Sequence, residues 1–188
     1  MRRIVFVLSV VMALGGLVGI GRGSLGSSAQ EADTLAGHPL VGTWLAMVPS
    51  GASPETFAAD GSFIASPPII EPWPEGVTLL SPLLGTWEST GERSGRFTAV
   101  QALSDPDGTY TGSLTIDGHL EVSEDGQSFV DDSPQTTLTF RDAANAVVAV
   151  INPYQDSDAS IPPVTGIRMS VGAPGFPEAP DAAATPAA

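Results

Sequence analysis

The chain has 188 residues, with no cysteine, no lysine and 21 acidic residues against seven arginines, for a net charge of −14. Without thiols there is neither a disulfide framework nor a lipid-modified N-terminus, so an apolar core of useful size has to hold the fold. So acidic a surface excludes nucleic acid and anionic lipid heads as partners, because both are held by clustered cations.

Arg2 and Arg3 precede an apolar run of 17 residues, Ile4 to Ile20, and a polar stretch in which Ser27-Ser28-Ala29 offers the small residues a signal peptidase reads. This pattern predicts a secretory signal over residues 1–29, cleaved near Ala29, and a secreted, extracytoplasmic mature chain. The run is slightly short of the roughly 20 residues that span a bilayer, and Gly15, Gly16 and Gly19 weaken it as an anchor. Membrane tethering through an uncleaved 4–20 is the alternative. Twin-arginine export is the weaker route, because no polar residue of the usual kind stands ahead of the pair. All acidic residues fall beyond Ala29, where only Arg93, Arg96, Arg141 and Arg168 oppose them. A chain so charged is not expected to insert into a membrane. Its length suits one domain, read as 38–172, after a flexible linker over 30–37 and before a disordered Pro/Ala-rich tail over 173–188.

From Val41 onward, turn residues recur every 8 to 15 positions between segments rich in Thr, Val, Phe and Ile, and no window holds apolar residues at helical spacing. The fold class is therefore all-β. Strands are predicted over Val41–Val48, Glu55–Ala59, Ser62–Ser66, Leu83–Thr90, Gly95–Leu103, Thr109–Ser123, Thr136–Asp142, Ala146–Ile151 and Gly166–Val171. Between Ser66 and Pro82 the prolines read as an irregular loop or lid around Trp73. In the long segment Thr109–Ser123, Tyr110, Leu114, Ile116, Leu120 and Val122 alternate with polar residues. A two-residue hairpin at Asp117-Gly118 would put Glu121 beside Leu114 on the core face, so one strand must run through Gly118, bent or bulged there.

His38-Pro39-Leu40-Val41-Gly42-Thr43-Trp44 recurs as Ser81-Pro82-Leu83-Leu84-Gly85-Thr86-Trp87, five identities in seven at a spacing of 43. Glycine and tryptophan two apart share a strand face, so backbone approaches closely at one while indole fills the volume beside it. With this motif the chain resembles the lipocalins and the wider calycin superfamily, which share a Gly-x-Trp on the first strand of an eight-stranded up-and-down barrel. The resemblance implies that Gly42, Trp44, Gly85 and Trp87 help close the barrel and that Arg168, on the last strand, lies across Trp44. The chain is also similar to exported bacterial lipocalin-like proteins of unassigned role, through Gly85-Thr86-Trp87-Glu88 and Thr90-Gly91-Glu92-Arg93. The similarity covers nearly all of Pro39 to Val171, but it lacks the disulfide common in animal lipocalins and a clear helix before the last strand.

Catalytic chemistry finds little material. His38 and His119 are the only histidines, no Gly-x-Ser-x-Gly elbow accompanies them, and a zinc site would need further N or S ligands. Asp105-x-Asp107-Gly108 starts like a calcium loop, but Ile116 falls where the closing glutamate belongs. Asp131 and Asp132, adjacent on a strand, point to opposite faces. The expectation is a non-enzymatic barrel without metal or cofactor, whose partner is a small hydrophobic ligand held by Phe57, Phe63, Phe97, Tyr110, Leu114 and Ile116. The alternative is a solid-core surface protein that works through loop 66–82; a barrel isomerase or cyclase ranks below both. The oligomeric state is not legible.

Overall fold

The computed structural model describes residues 35–73, 76–155, 161–173 and 175. Residues 1–29, expected to be a secretory signal, linker residues 30–34 and nearly all of the expected tail lie outside the described residues.

Among the described residues twelve strands form: β1 (Gly42–Val48), β2 (Gly51–Phe57), β3 (Ser62–Ala65), β4 (Ile70–Trp73), β5 (Gly76–Leu80), β6 (Leu83–Ser89), β7 (Ser94–Ser104), β8 (Tyr110–Val122), β9 (Ser128–Asp131), β10 (Thr137–Asp142), β11 (Val147–Ile151) and β12 (Val164–Arg168). Eight of them, β1-β2-β3-β6-β7-β8-β9-β12, close into an antiparallel barrel in which β12 pairs back onto β1. Two hairpins stand outside the ring. The β4–β5 hairpin joins β7 through Leu79 and Leu80, and β10–β11 joins β8 along Gly112–Asp117. On that same side β8 pairs with β9 only at Glu121 and Val122, so one long strand serves two partners at different heights.

Period-2 alternation builds the wall. On β7, Gly95, Phe97, Ala99 and Gln101 are buried while Arg96, Thr98, Val100 and Ala102 are exposed. The core clusters at one end, where Phe57 sits with its ring centroid 4.7 Å from Phe63, 5.8 Å from Trp87, 6.1 Å from Phe97 and 6.3 Å from Phe129. These mostly edge-on contacts suit aromatic quadrupoles.

Several expectations need correction. Residues 66–82 are largely a hairpin, not an irregular loop. Pro72 is tolerated in β4 because β4 is the sheet's edge, where a missing N–H breaks no ladder. The side chain of Trp73 lies outside what is described. β2 begins at Gly51 and runs through Pro54, whose backbone faces β3 just beyond that strand's last residue, with its carbonyl accepting from Ser66 N at 2.9 Å. β9, unmarked by any β-rich run, also went unforeseen, and β12 starts two residues earlier than expected. Leu35, assigned to the linker, is buried in the core.

β8 does pass straight through Gly118, but its bulge lies at the far end, opposite Leu103 and Ser104. Gly118 is needed for another reason. Phe97 pairs with it and lies over its Cα, so that an added Cβ would sit 2.1 Å from Phe97 Cε1. Gly118→Ala should therefore lower the urea midpoint, with the slope unchanged, by the equivalent of about 1–3 kcal/mol.

Candidate functional site

One end of the barrel is shut by an indole under a guanidinium. Trp44 is fully buried and donates from Nε1 to Leu40 O at 2.9 Å. Arg168 Cζ stands 4.1 Å from the Trp44 ring centroid, and the guanidinium donates to Gly126 O at 2.6 Å, Val41 O at 3.0 Å and Pro39 O. Gly42 makes room for it, since a Cβ there would lie 2.6 Å from Arg168 Nη1 and its φ of +145° favours glycine. Trp87 fills the same end and donates to Ala58 O at 2.8 Å, while Gly85 lets β7 approach within 2.1 Å of where a Cβ would be. His38 covers Trp87 at 5.4 Å; it accepts from Leu40 N on Nδ1, which leaves Nε2 to donate to Gly91 O. His38 is thus a cap on the closed end.

The opposite half is hollow. A cavity of about 260 Å³ is walled by apolar side chains, among them Phe63 and Phe97 at its base and Leu103, Leu114, Ile116 and Leu138 on its sides. The two inserted hairpins raise this wall with Leu80 and Phe140. Of the residues expected to hold a ligand, Phe63, Phe97, Leu114 and Ile116 border the cavity. Phe57 instead sits within the aromatic cluster of the closed end, fully buried. Tyr110 stands 47% exposed, because the bulge opposite Leu103 and Ser104 carries the start of β8 past the rim.

A few polar groups interrupt the apolar lining. Glu55 comes from β2 and Asp131 from β9, two strands separated on the ring by β12 and β1, so the carboxyls approach across the lumen. Burial, reinforced by the charge of Asp131, pushes the Glu55 carboxyl up to about 8. Asp131 is pushed up to about 6, again by burial, against hydrogen bonds from Thr136 and the backbone of Ser133 and His119 that hold it down. Thr136 Oγ1 donates to Asp131 Oδ1 at 2.7 Å. Ser53, two residues before Glu55 on the same face, favours the charged carboxyl by proximity, yet its Oγ makes no hydrogen bond of good geometry. Tyr154 OH accepts from Val164 N at 3.4 Å and is raised to about 12 by burial and by Asp131. Gln101 donates to Ser81 O at 2.7 Å. Among the described residues no arginine or histidine lines the cavity.

No family model, curated protein or solved structure matches the chain. The chemistry of the cavity itself therefore carries the functional reading. Around neutral pH, Glu55 is a carboxylic acid that donates and accepts, while Asp131 is a carboxylate that accepts.

The remaining candidates lie elsewhere. His119 is on the outer face of β8, 3.6 Å from Asp117, which Arg96 grips with two bonds of 2.8 and 2.6 Å. Asp105 Oδ1 accepts from Asp107 N and Thr109 N, tying a turn between β7 and β8. Asp131 and Asp132 do face opposite ways, the first buried and the second exposed. The carboxyl that Asp131 meets is on another strand. Ser53, Glu55, Gln101 and Tyr154 were not foreseen. Parity was the missed signal for Glu55, which is two residues from Phe57 and must share its inward face.

Proposed function

We propose that this protein is an exported, lipocalin-like barrel that binds a small apolar molecule in the open half of its interior. The observation that carries the reading is the cavity: a partly open, overwhelmingly apolar space above a fully packed base, with a few polar groups in its wall. Such an arrangement is the usual anatomy of a small-molecule site. The exported setting rests on the N-terminal residues alone, and the kinship on the paired Gly-x-Trp motifs with their guanidinium.

Benzene occupies a cavity of roughly 150 Å³, so about ten non-hydrogen atoms fit here. A thermal-shift screen of apolar molecules of that size should raise the melting temperature for several of them, because ligands that bind only the native state stabilise it. Leu114→Trp, which fills the space, should abolish the shifts while the protein still melts cooperatively. A screen without a single stabilising compound would defeat the proposal.

The carboxyl pair favours a second reading. An acid and a carboxylate whose environments separate their titration ranges form the pair that proton-shuffling catalysis needs, as in an isomerase. Under that reading a bound ligand is altered on incubation, which mass spectrometry of the recovered compound would reveal. Recovery of the unchanged compound supports a carrier.

A further inference from the structure

Three carboxyls line the cavity, the buried Glu55 and Asp131 and the half-buried Glu71, and among the described residues no cation joins them inside the apolar wall. Glu55 and Asp131 face the cavity from different strands, and Ser53, only 1% exposed, adds an Oγ beside Glu55 that makes no hydrogen bond of good geometry. The protein has little of its own to answer them with. It has no lysine, and Arg168 is committed to the carbonyls at the closed end. An anionic head would meet like charge in this space, and a neutral one would leave Asp131 with its hydrogen bonds from Thr136 and the backbone but without a counter-charge. An ammonium group, in contrast, carries three N–H donors and no acceptor, matching two carboxyls and a hydroxyl.

We infer that the ligand of this cavity is a small apolar amine, its ammonium group held between Glu55 and Asp131 with Ser53 Oγ accepting the third proton. The inference rests on the cavity being a ligand site, as proposed above. It carries a proton count. Among the described residues, the titratable groups lining the cavity are Glu55 on β2, Glu71 on β4, Asp131 on β9 and Tyr154 after β11; the lining residues of β1, β3, β5, β6, β7, β8, β10 and β12 bring none. In the empty barrel Glu55 holds its proton at pH 7, because burial raises it to about 8. The ammonium favours the carboxylate, so binding expels that proton to solvent and tightens as the pH rises from 6 to 8.

The test is calorimetric titration of the purified protein with octylamine, octan-1-ol and octanoate at pH 7, in two buffers of different ionisation enthalpy. Octylamine should bind about tenfold or more tighter than octan-1-ol, and octanoate more weakly than either, with about one proton released per amine. Glu55→Gln should cancel the proton release and most of the preference for the amine, and Asp131→Asn should weaken the amine selectively; a cooperative melt verifies that each variant is folded. Equal binding of octan-1-ol and octylamine, a preference for octanoate, or an amine preference untouched in both variants overturns the inference and leaves the apolar site standing. Failure of all three probes to bind overturns both.

Discussion

The melting temperature of the wild-type protein is expected to fall as the pH rises from 5 to 8, and Glu55→Gln is expected to remove most of that fall. A carboxyl raised by burial binds its proton more tightly in the native chain than in the unfolded one. Between the ordinary value of 4.5 and the native value of about 8, the unfolded chain therefore holds fewer protons. Stability is greatest below that window and declines across it, by at most about 1.4 kcal/mol per pH unit for each such group. Asp131, raised from 3.8 to about 6, acts in the same direction over a lower range. The combined loss is on the order of 5 kcal/mol, or roughly 10–20 °C for a domain of this size. Glutamine keeps the shape and cannot ionise, so at pH 8 the variant should melt above the wild type, and at pH 5 close to it. Most surface carboxylates are ionised throughout this range, so the difference between the two proteins isolates the interior group. Calorimetric scans at four pH values settle the matter; parallel curves for the two proteins would show that Glu55 is not buried as described.

The second large effect is expected at the closed end. Arg168→Ala strips three backbone carbonyls, those of Pro39, Val41 and Gly126, of their charged donor and uncovers the Trp44 indole. Bonds to a charged donor contribute about 1.5–3 kcal/mol and a desolvated cation–π contact up to about 2. Such contributions do not add fully, so a loss of about 3–5 kcal/mol is expected, read as the drop in urea unfolding free energy. Arg168→Lys should recover little of it, because a point ammonium cannot reach three carbonyls in a planar fork while lying over indole. If the lysine variant matched the wild type, the fork geometry would be irrelevant and the closure would rest on apolar packing alone.

The barrel was legible in the sequence for identifiable reasons. Alternation survives intact along Gly95–Ala102 and at the end of β8 from Leu120 to Val122, whereas at the start of β8 it breaks at the bulge, with Tyr110 exposed and Ser113 buried. The repeated Gly-x-Trp and the late arginine pointed to the closed end, where Trp44 and Arg168 do stack. The hollow half was harder to see. Pro54 hid the start of β2, and with it the inward placement of Ser53; Glu55 stands at the head of the expected strand, where its parity with Phe57 was the overlooked signal. Pro72 hid β4 in the same way, since only its place at the sheet's edge makes a proline harmless there. Asp131 was judged against its neighbour Asp132, whereas its true counterpart is 76 positions away in sequence and across the lumen. Registers between distant strands decide such encounters, and no local pattern encodes them.

The most direct test of a barrel packed at one end and hollow at the other is methyl NMR during titration with octan-1-ol, a probe indifferent to the charge of the site. Resonances of Leu114, Ile116 and Leu138 should move together and saturate, while those of Leu40 and Val122, buried in the packed core and outside the cavity wall, stay still. Shifts spread over both groups, or absent from both, would contradict the account.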